Sequence, residues 1–282
     1  MSHLTNPLAT AAQLTRCRDR SSLVVSGKPD ADSDFLDAVF FAVQRLTQAA
    51  GLLLELPQST TARANVLLAR YWVQDPGFEV DLRGKKGPSY RHVSAAAVYL
   101  VAKTGPVPRS ARDVANVYHY LAVADAADAQ DTASSDTEYN NFHTHVLACE
   151  ARLLTALAFE THVALPHPLA VTFLQALGFL GQPSPKSSLS ARMVSYLNTA
   201  LLSPQLLYVT HQPHELAVAA LYNAACDLGL QSRLPSAAGP WWEVFDVDRE
   251  TLGFLAVALR SVTAWAASTT LPPLGLSRLS IE

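Results

Sequence analysis

Apolar residues recur every three or four positions along most of this chain, which is the spacing of one face of an α-helix. The first such run covers residues 35–54, and Ser33 or Asp34 is placed to cap its start. Pro57 ends this helix, and a second helix is expected over residues 59–73. The alternation that marks a β-strand is scarce, so we expect an all-α fold.

The most apolar helix is the third, expected over residues 89–103. From Ser94 until Lys103 almost every residue is small or apolar. Such a helix has no polar face for solvent, so we expect it in the middle of a bundle. Ser110 then caps a short fourth helix that runs to Leu121.

Two polar segments between these helices are interpreted as solvated loops. Residues 75–88 are rich in proline and glycine and carry a basic cluster of Arg83, Lys85 and Lys86. An acidic, alanine-rich segment precedes Glu138. A fifth helix follows, with apolar positions three or four residues apart. These positions are Tyr139, Phe142, Val146, Cys149, Leu153 and Leu157.

The helical pattern starts again after Pro166 and Pro168. Helices are expected over residues 169–179, 190–202, 213–228, a short one from Pro240, and 248–267. Residues 217–226 align with residues 94–103, which places Tyr222 on Tyr99. Each copy is a central helix of small residues flanked by amphipathic helices, so we predict a duplicated five-helix bundle.

The composition allows a large core and excludes several classes of protein. The chain has 282 residues, of which 49% are apolar, and a net charge of −3. The slight acidity argues against direct nucleic-acid binding, which normally needs a basic excess. Three widely spaced cysteines indicate no disulfide framework and favour a reducing compartment. No uninterrupted apolar stretch has the length of a membrane span, so we expect a soluble protein without a membrane partner.

Motifs for catalysis and cofactor binding are not found in the sequence. It contains no glycine-rich phosphate loop, no paired-cysteine zinc pattern and no nucleophile elbow. His143 and His145 lie two residues apart on a predicted helix, so they point to different faces and are poorly placed to share a metal ion. We therefore predict a non-catalytic protein without a cofactor or a metal.

Two charged residues occur within apolar helical runs. Lys103 ends the third helix, and Glu150 interrupts the fifth. A charge near a core costs free energy unless it is paired. Either each side chain points outward from its helix, or the two meet across the bundle and form a polar site at a partner surface. Spacing alone slightly favours the outward orientation.

Several runs of residues, taken together and in this order, resemble one protein family. They are residues 48–58 (QAAGLLLELPQ), 64–71 (ANVLLARY), 99–103 (YLVAK), 108–117 (PRSARDVANV), 150–159 (EARLLTALAF), 163–168 (VALPHP), 213–222 (PHELAVAALY) and 240–245 (PWWEVF). They are similar to the two boxes of transcription-type cyclins, above all cyclin L, with cyclins K, T and Q next. The similarity covers about residues 36–267.

This resemblance implies a specific function. Cyclins have two tandem five-helix boxes and no active site, and their first box packs against the regulatory helix of a cyclin-dependent kinase. The family's kinase-binding Lys and Glu match Lys103 and Glu150, and its apolar contact positions match Leu154 and Phe159. Family members usually follow the Lys with an apolar residue and two acids, whereas residues 104–108 here are TGPVP. Contacts through those acids are therefore not expected.

We accordingly expect a nuclear regulator of a cyclin-dependent kinase in transcription or RNA processing, with a PITSLRE-type kinase as the first guess. The alternative is a cyclin-fold scaffold that binds transcription machinery without a kinase, as general transcription factor IIB does. The mild acidity and the Lys103/Glu150 pair argue against this alternative.

The expected domains are a flexible N-terminal extension, two boxes and a tail. Their bounds are residues 1–33, 34–163, 164–268 and 269–282. An accessory helix within residues 1–33 is an open alternative to flexibility. The pair Trp241–Trp242 is either a peptide-binding platform or core packing at a corner between helices, and we predict core packing because large aromatics commonly close bundles.

Overall fold

The structure is a computed structural model that describes residues 4–24, 29–74, 89–123, 136–179, 186–235 and 239–269. Within these residues the secondary structure is helical and contains no strand, so the all-α prediction is confirmed. The basic cluster of Arg83, Lys85 and Lys86 lies outside the described residues, as do the acidic positions Asp125, Asp128 and Asp131.

The chain forms two compact units. Within the described residues, the first unit comprises Ala9–Thr161, and the second comprises His162–Thr269 together with residues 4–8. The helices of the first unit are α1 (Ala11–Val24), α2 (Pro29–Leu53), α3 (Gln58–Gln74), α4 (Tyr90–Lys103), α5 (Ala111–Val123) and α6 (Asp136–Ala156).

Helix α4 is the centre of the first unit, as its composition predicts. It packs against α2, α3, α5 and α6, and Ala95, Ala96 and Ala97 are fully buried. Small side chains let several helices approach one axis closely. The buried hydroxyl of Ser94 lies 2.7 Å from the Thr47 hydroxyl on α2 and 2.6 Å from the Tyr118 hydroxyl on α5. These hydrogen bonds satisfy buried polar groups and fix the positions of three helices.

The beginning of the first unit differs from the prediction in two ways. Helix α2 begins at Pro29 rather than after a cap at Ser33 or Asp34. Proline is well suited to the first turn, where its missing N–H costs nothing. The second difference is at Ala11–Val24, which form α1 and pack on α2 and α3, so these residues match the alternative of an accessory helix rather than a flexible extension.

The second unit repeats the arrangement around its own central helix. Its helices are α7 (Pro166–Ala176), α8 (Lys186–Ala200), α9 (Leu207–Thr210), α10 (Pro213–Asp227) and α11 (Arg249–Ser268), with 3₁₀ turns at Gln231–Arg233 and Glu243–Phe245. Helix α10 packs against α7, α8 and α11, and Ala217, Ala219 and Ala220 are fully buried. The helix predicted from Pro240 is only a 3₁₀ turn, which ends at Asp246 in the left-handed region. The short helix α9 was not predicted.

Aromatic residues close one corner of the second unit. Trp241 is buried, and its ring centroid lies 6.1 Å from that of Trp242 and 6.2 Å from that of Phe245. Phe245 in turn lies 4.2 Å from Phe173 of α7. The prediction of core packing is therefore confirmed for Trp241.

Residues 4–8 belong to the second unit because both the side chain and the backbone of Asn6 form hydrogen bonds there. Its side-chain amide donates to the Ala164 carbonyl and accepts from the Ala164 N–H, each at 2.8 Å. Its backbone exchanges two bonds of 3.0 Å with the side chain of Gln212, which precedes α10. These buried hydrogen bonds form a closed set and hold the N-terminal segment against residues that include Ala164, 158 positions later in the chain.

By length and composition helix α11 is able to cross a membrane, although Arg260 and Ser261 interrupt its apolar residues. A helix that packs in a bundle can have the same length and composition. One face of α11 is buried against α10 and α8 through Leu252, Leu255, Leu259 and Val262.

Candidate functional site

The candidate site begins at the end of the central helix of the first unit. Lys103 is the last residue of α4, and Thr104 follows as its C-cap. A cation at this position is favoured by the partial negative charge of the helix C-terminus. Most residues of α4 are buried, whereas 38% of the Lys103 side chain at its C-terminal end is exposed.

Glu150 meets Lys103 from the neighbouring helix α6. Cys149 and Leu153 face the core, and Glu150 lies beside this face with a side chain only 10% exposed. The Lys103 ammonium donates a hydrogen bond to Glu150 Oε1. A carboxylate at this depth needs a partner, and Lys103 supplies it. The outward orientation that spacing favoured is therefore wrong, and the two residues meet across the bundle.

The pair keeps hydrogen-bonding capacity for another molecule. An ammonium has three N–H donors, and within the described residues Lys103 uses one of them, on Glu150. Its Nζ also lies 5.2 Å from the centroid of the Tyr99 ring, one turn earlier on α4. Within the same residues Glu150 Oε2 accepts no hydrogen bond. Donors and an acceptor thus lie side by side, which suits the C=O and N–H groups of another backbone.

Apolar residues flank this pair along α6. Leu154 follows Glu150 by four residues and is half-buried, and Leu147 precedes it by three and is 41% exposed. Residues three or four apart share one helix face. Leu147 is a residue that the sequence reasoning missed, as is Tyr99. The available signal was spacing: Leu147 lies three residues before Glu150, and Tyr99 lies four residues before Lys103.

Phe159 follows α6 and is 70% exposed. Its backbone has a φ of +62°, and that of Ala158 is +49°, so two consecutive residues other than glycine lie in the left-handed region. The Phe159 N–H donates to the Leu154 carbonyl at 2.8 Å, which closes the helix end. A bulky residue in this conformation costs about 1 kcal/mol or more. The turn therefore holds an aromatic ring in solvent at a cost in folding free energy.

The turn after α6 also has an electrostatic tie to α3. Arg70 of α3 is buried, and burial lowers the pKa of its guanidinium while the carboxylate of Glu160 opposes this change. Glu160, in the turn that presents Phe159, therefore lies near enough to Arg70 to favour its charged form.

His92 serves local structure near the start of α4. The Ser89 N–H donates to His92 Nδ1 at 2.9 Å, and the His92 ring lies 4.7 Å from Phe142 and 4.9 Å from His145 of α6. Burial, with the nearby His145 and Arg91, lowers the pKa of His92 to about 4, so its ring is neutral at pH 7. In the part of the chain that the structure describes, no three His, Cys, Asp or Glu residues are grouped to hold a metal ion.

The four predicted site residues thus have distinct placements. Lys103 and Glu150 are in direct contact, Leu154 lies one helical turn beyond Glu150, and Phe159 projects from the following turn. Together they form a charged pair beside apolar side chains, so polar and apolar contacts for another protein lie next to each other.

Comparison with known proteins identifies relatives over most of the chain. No family model matches. Cyclin-L2 of Mus musculus is 32% identical over 197 residues, covering 70% of this chain and 35% of that protein. Cyclin-L1 of Homo sapiens is 31% identical over 207 residues, covering 73% and 36%. The cyclin L homolog of Caenorhabditis elegans is 28% identical over 237 residues, covering 79% and 46%. The chain therefore spans about a third to a half of the length of these relatives.

Solved structures share the fold at low sequence identity. A chain of the yeast RNA Pol II CTD kinase CTDK-1 complex superimposes with a TM-score of 0.68 at 16% identity, covering 92% of this chain and 73% of that one. A chain of the CAK complex from Chaetomium thermophilum, bound to ATP-gamma-S, gives 0.59 at 15% identity, covering 95% and 78%.

Proposed function

The chain belongs to the cyclin family, with cyclin L among its relatives, and we propose that it binds and activates a cyclin-dependent kinase acting in transcription or pre-mRNA processing. The observation that carries this proposal is the Lys103–Glu150 pair, which joins α4 to α6 and retains donors and an acceptor for a partner backbone. In this proposal the chain is a non-catalytic regulator, and the kinase supplies the active site.

The kinase would dock its regulatory helix on α4 and α6. Lys103 donates to carbonyl groups beside that helix, and Glu150 accepts from an N–H there. Leu154 and Phe159 take up apolar side chains, and the exposed Leu147 extends the same face. Docking removes water from the polar pair, which strengthens its hydrogen bonds with the kinase.

Activation follows from the position that the docked helix adopts. A protein kinase needs a glutamate of this helix paired with its ATP-binding lysine before phosphoryl transfer. Shifting a kinase from 1:99 to 99:1 in favour of the paired state takes about 5.5 kcal/mol of differential binding. A few desolvated hot-spot residues can supply this free energy.

The comparisons support a partner of the cyclin-dependent class. Two of the solved structures with this fold come from an RNA Pol II CTD kinase complex and from a CAK complex. A PITSLRE-type kinase is the first candidate, on the similarity to cyclin L. We propose a nuclear location, where the substrates would be the polymerase tail or splicing factors.

The test is affinity purification of the tagged chain from its own cells, with kinase assays on a polymerase-tail peptide and a splicing-factor peptide. We expect one cyclin-dependent kinase to copurify and its activity to require the pair. Lys103→Glu and Glu150→Lys should each abolish recovery of the kinase. Arg63→Glu is the matched control, because it reverses an exposed charge on α3. Transcription-factor subunits without a kinase would overturn the proposal and favour the scaffold.

A further inference from the structure

A second polar cluster lies in the second unit, at the end of its central helix. Asp227 is the last residue of α10, and its carboxylate accepts three hydrogen bonds. Arg192 Nε and the Tyr196 hydroxyl, both of α8, donate to Oδ2 at 2.7 and 2.8 Å. Arg260 of α11 donates to Oδ1 at 2.6 Å. Three helices of one unit thus converge on one carboxylate.

The cluster lies at the same end of the central helix as the Lys103–Glu150 pair does in the first unit, with the charges reversed. The alignment that places Tyr222 on Tyr99 places Asp227 one residue beyond the match for Lys103. In the first unit the central helix ends in a cation whose partner is an acid; in the second it ends in an acid whose partners are cations. The equivalent helix end therefore presents a surface of opposite chemistry.

The cations of this cluster exceed its acid. Two guanidinium groups meet one carboxylate, and the cavity beside them has no other acidic lining residue. Burial raises the pKa of Asp227, but hydrogen bonds from Arg192, Tyr196 and Arg260 together outweigh it and hold the pKa below its usual value. The carboxylate is therefore ionised and cancels one positive charge. A net charge of about +1 remains at the cluster.

The two arginines that line this cavity keep unused donors. Arg192 binds Asp227 through Nε, and within the described residues its two terminal nitrogens make no hydrogen bond. Arg260 uses Nε and one terminal nitrogen on Asn223 and Asp227, and in the same residues its other terminal nitrogen makes none. The Arg192 and Arg260 side chains are 53% and 46% exposed, so both can reach a ligand. Planar guanidinium groups bind phosphate in a bidentate manner.

The cavity has the size and lining for a small anionic group. Its volume is about 270 Å³, near the lower bound of roughly 300 Å³ for small-molecule pockets. Hydroxyls line it beside the two arginines: Ser195, Thr199 and Thr263. A phosphoryl group carries up to two negative charges and three acceptor oxygens, more than a carboxylate offers to this set of donors.

We propose that this cavity, formed by α8, α10 and α11, binds the phosphoryl group of a phosphorylated serine or threonine in a peptide segment. The inference rests on the proposed function in one respect, that a kinase-activating subunit meets phosphorylated segments of the kinase's substrates. The site would hold a segment that is already phosphorylated while the kinase acts on a neighbouring residue.

The test measures binding to the purified full chain by fluorescence anisotropy. The probes are a degenerate peptide pool with a fixed phosphothreonine, and the same pool with threonine or glutamate at that position. We expect the phosphorylated pool to bind at least about tenfold more tightly than the threonine pool, with the glutamate pool between them. Inorganic phosphate should compete with the phosphorylated pool.

Arg192→Gln tests whether the cavity binds the phosphoryl group. The Arg192 side chain is half exposed, and its loss leaves the hydrogen bonds between Arg260 and Asn223 intact. The substitution should weaken binding of the phosphorylated pool about tenfold, whereas Arg249→Gln, at an exposed position of α11, should leave it unchanged. Asp227→Asn raises the net charge and should tighten binding. Melting temperatures verify that each variant is folded.

Equal binding of the phosphorylated and threonine pools would overturn the proposal, as would unchanged binding by Arg192→Gln. Binding of inorganic phosphate without the peptide pool would show an adventitious ion only and would also overturn it. These outcomes involve no kinase, so they are separate from a failure of the Lys103/Glu150 experiment.

Discussion

The backbone N–H of Phe159 donates to the carbonyl of Leu154 at 2.8 Å, so the turn that ends α6 joins two of the proposed kinase contacts. Leu154 is half-buried on the helix, whereas Phe159 is 70% exposed in the left-handed region. A large ring held in solvent by a strained turn contributes little to folding. It is preorganised for binding instead.

We predict that Phe159→Ala weakens kinase binding about tenfold, or ~1.4 kcal/mol, because it removes an aromatic anchor from the contact. The free energy of unfolding should change by less than about 0.5 kcal/mol, since the ring is exposed. Titration calorimetry with the copurified kinase and urea unfolding measure the two quantities. Val244→Ala, at a residue 81% exposed in the second unit, is the control for both. Unchanged affinity in Phe159→Ala would remove Phe159 from the site.

We predict that Lys103→Ala lowers the free energy of unfolding by about 1–2 kcal/mol, because the buried Glu150 carboxylate loses its partner. Replacing both residues, as Lys103→Met with Glu150→Leu, should restore most of this stability while kinase activation stays lost. Urea unfolding and a kinase assay separate the two effects. A double variant that still activates the kinase would show that the pair is structural only.

The sequence predicts the helices of both units better than it predicts their contacts. The alanine-rich run of α4 indicates a central helix because no polar face is left for solvent. The Lys103–Glu150 contact joins residues 47 positions apart on different helices, and helical periodicity assigns faces without saying which faces meet. Their positions within apolar runs singled out the two residues, but family resemblance, rather than spacing, was the signal that they act together.

The turn at Phe159 shows a different limit. A helix end in the left-handed region is normally marked by glycine or asparagine, and the chain has alanine and phenylalanine there. No local pattern therefore predicts the exposed ring. The short α9 escapes prediction for a similar reason, since the residue before it, Leu206, adopts a left-handed conformation without a glycine.

Replacing two glycines within helices by alanine should change the stability of the protein in opposite directions. A Cβ at Gly51 of α2 would lie 2.3 Å from the Thr61 hydroxyl on α3, and Thr61 is buried. Gly253 of α11 has no atom within 4 Å of its Cβ position. Gly51→Ala should therefore destabilise the protein by about 1–3 kcal/mol through overpacking, whereas Gly253→Ala should stabilise it by about 0.5–1 kcal/mol through helix propensity.

Thermal or urea unfolding of the two alanine variants checks this contrast, with each serving as the control for the other. Helix propensity alone predicts the same sign for both. Stabilisation by Gly51→Ala would therefore show that α2 and α3 lie farther apart at Thr61 than described.

The neutral His92 should make stability depend on pH. Its pKa is about 4 in the folded protein against 6.5 for the ordinary side chain, so the unfolded chain binds more protons between these values. The stability that the neutral ring contributes is fully present above pH 6.5 and is lost as the pH falls toward 4. Allowing for partial exposure of the ring, we expect about 1–2 kcal/mol to be lost over this window.

The measurement is the free energy of unfolding in urea from pH 4 to pH 8 for the wild type and His92→Gln. The glutamine variant keeps an acceptor near the Ser89 N–H but has no ring to protonate, so its profile should be flatter between pH 4 and 6.5. Ser89→Ala is the matched control, because it removes the hydroxyl 2.9 Å from the same ring while the burial by Phe142 remains. That variant should lose about 1 kcal/mol at every pH and keep the slope. If the free energy of unfolding falls equally steeply with pH in the wild type and in His92→Gln, the acid sensitivity comes from other groups.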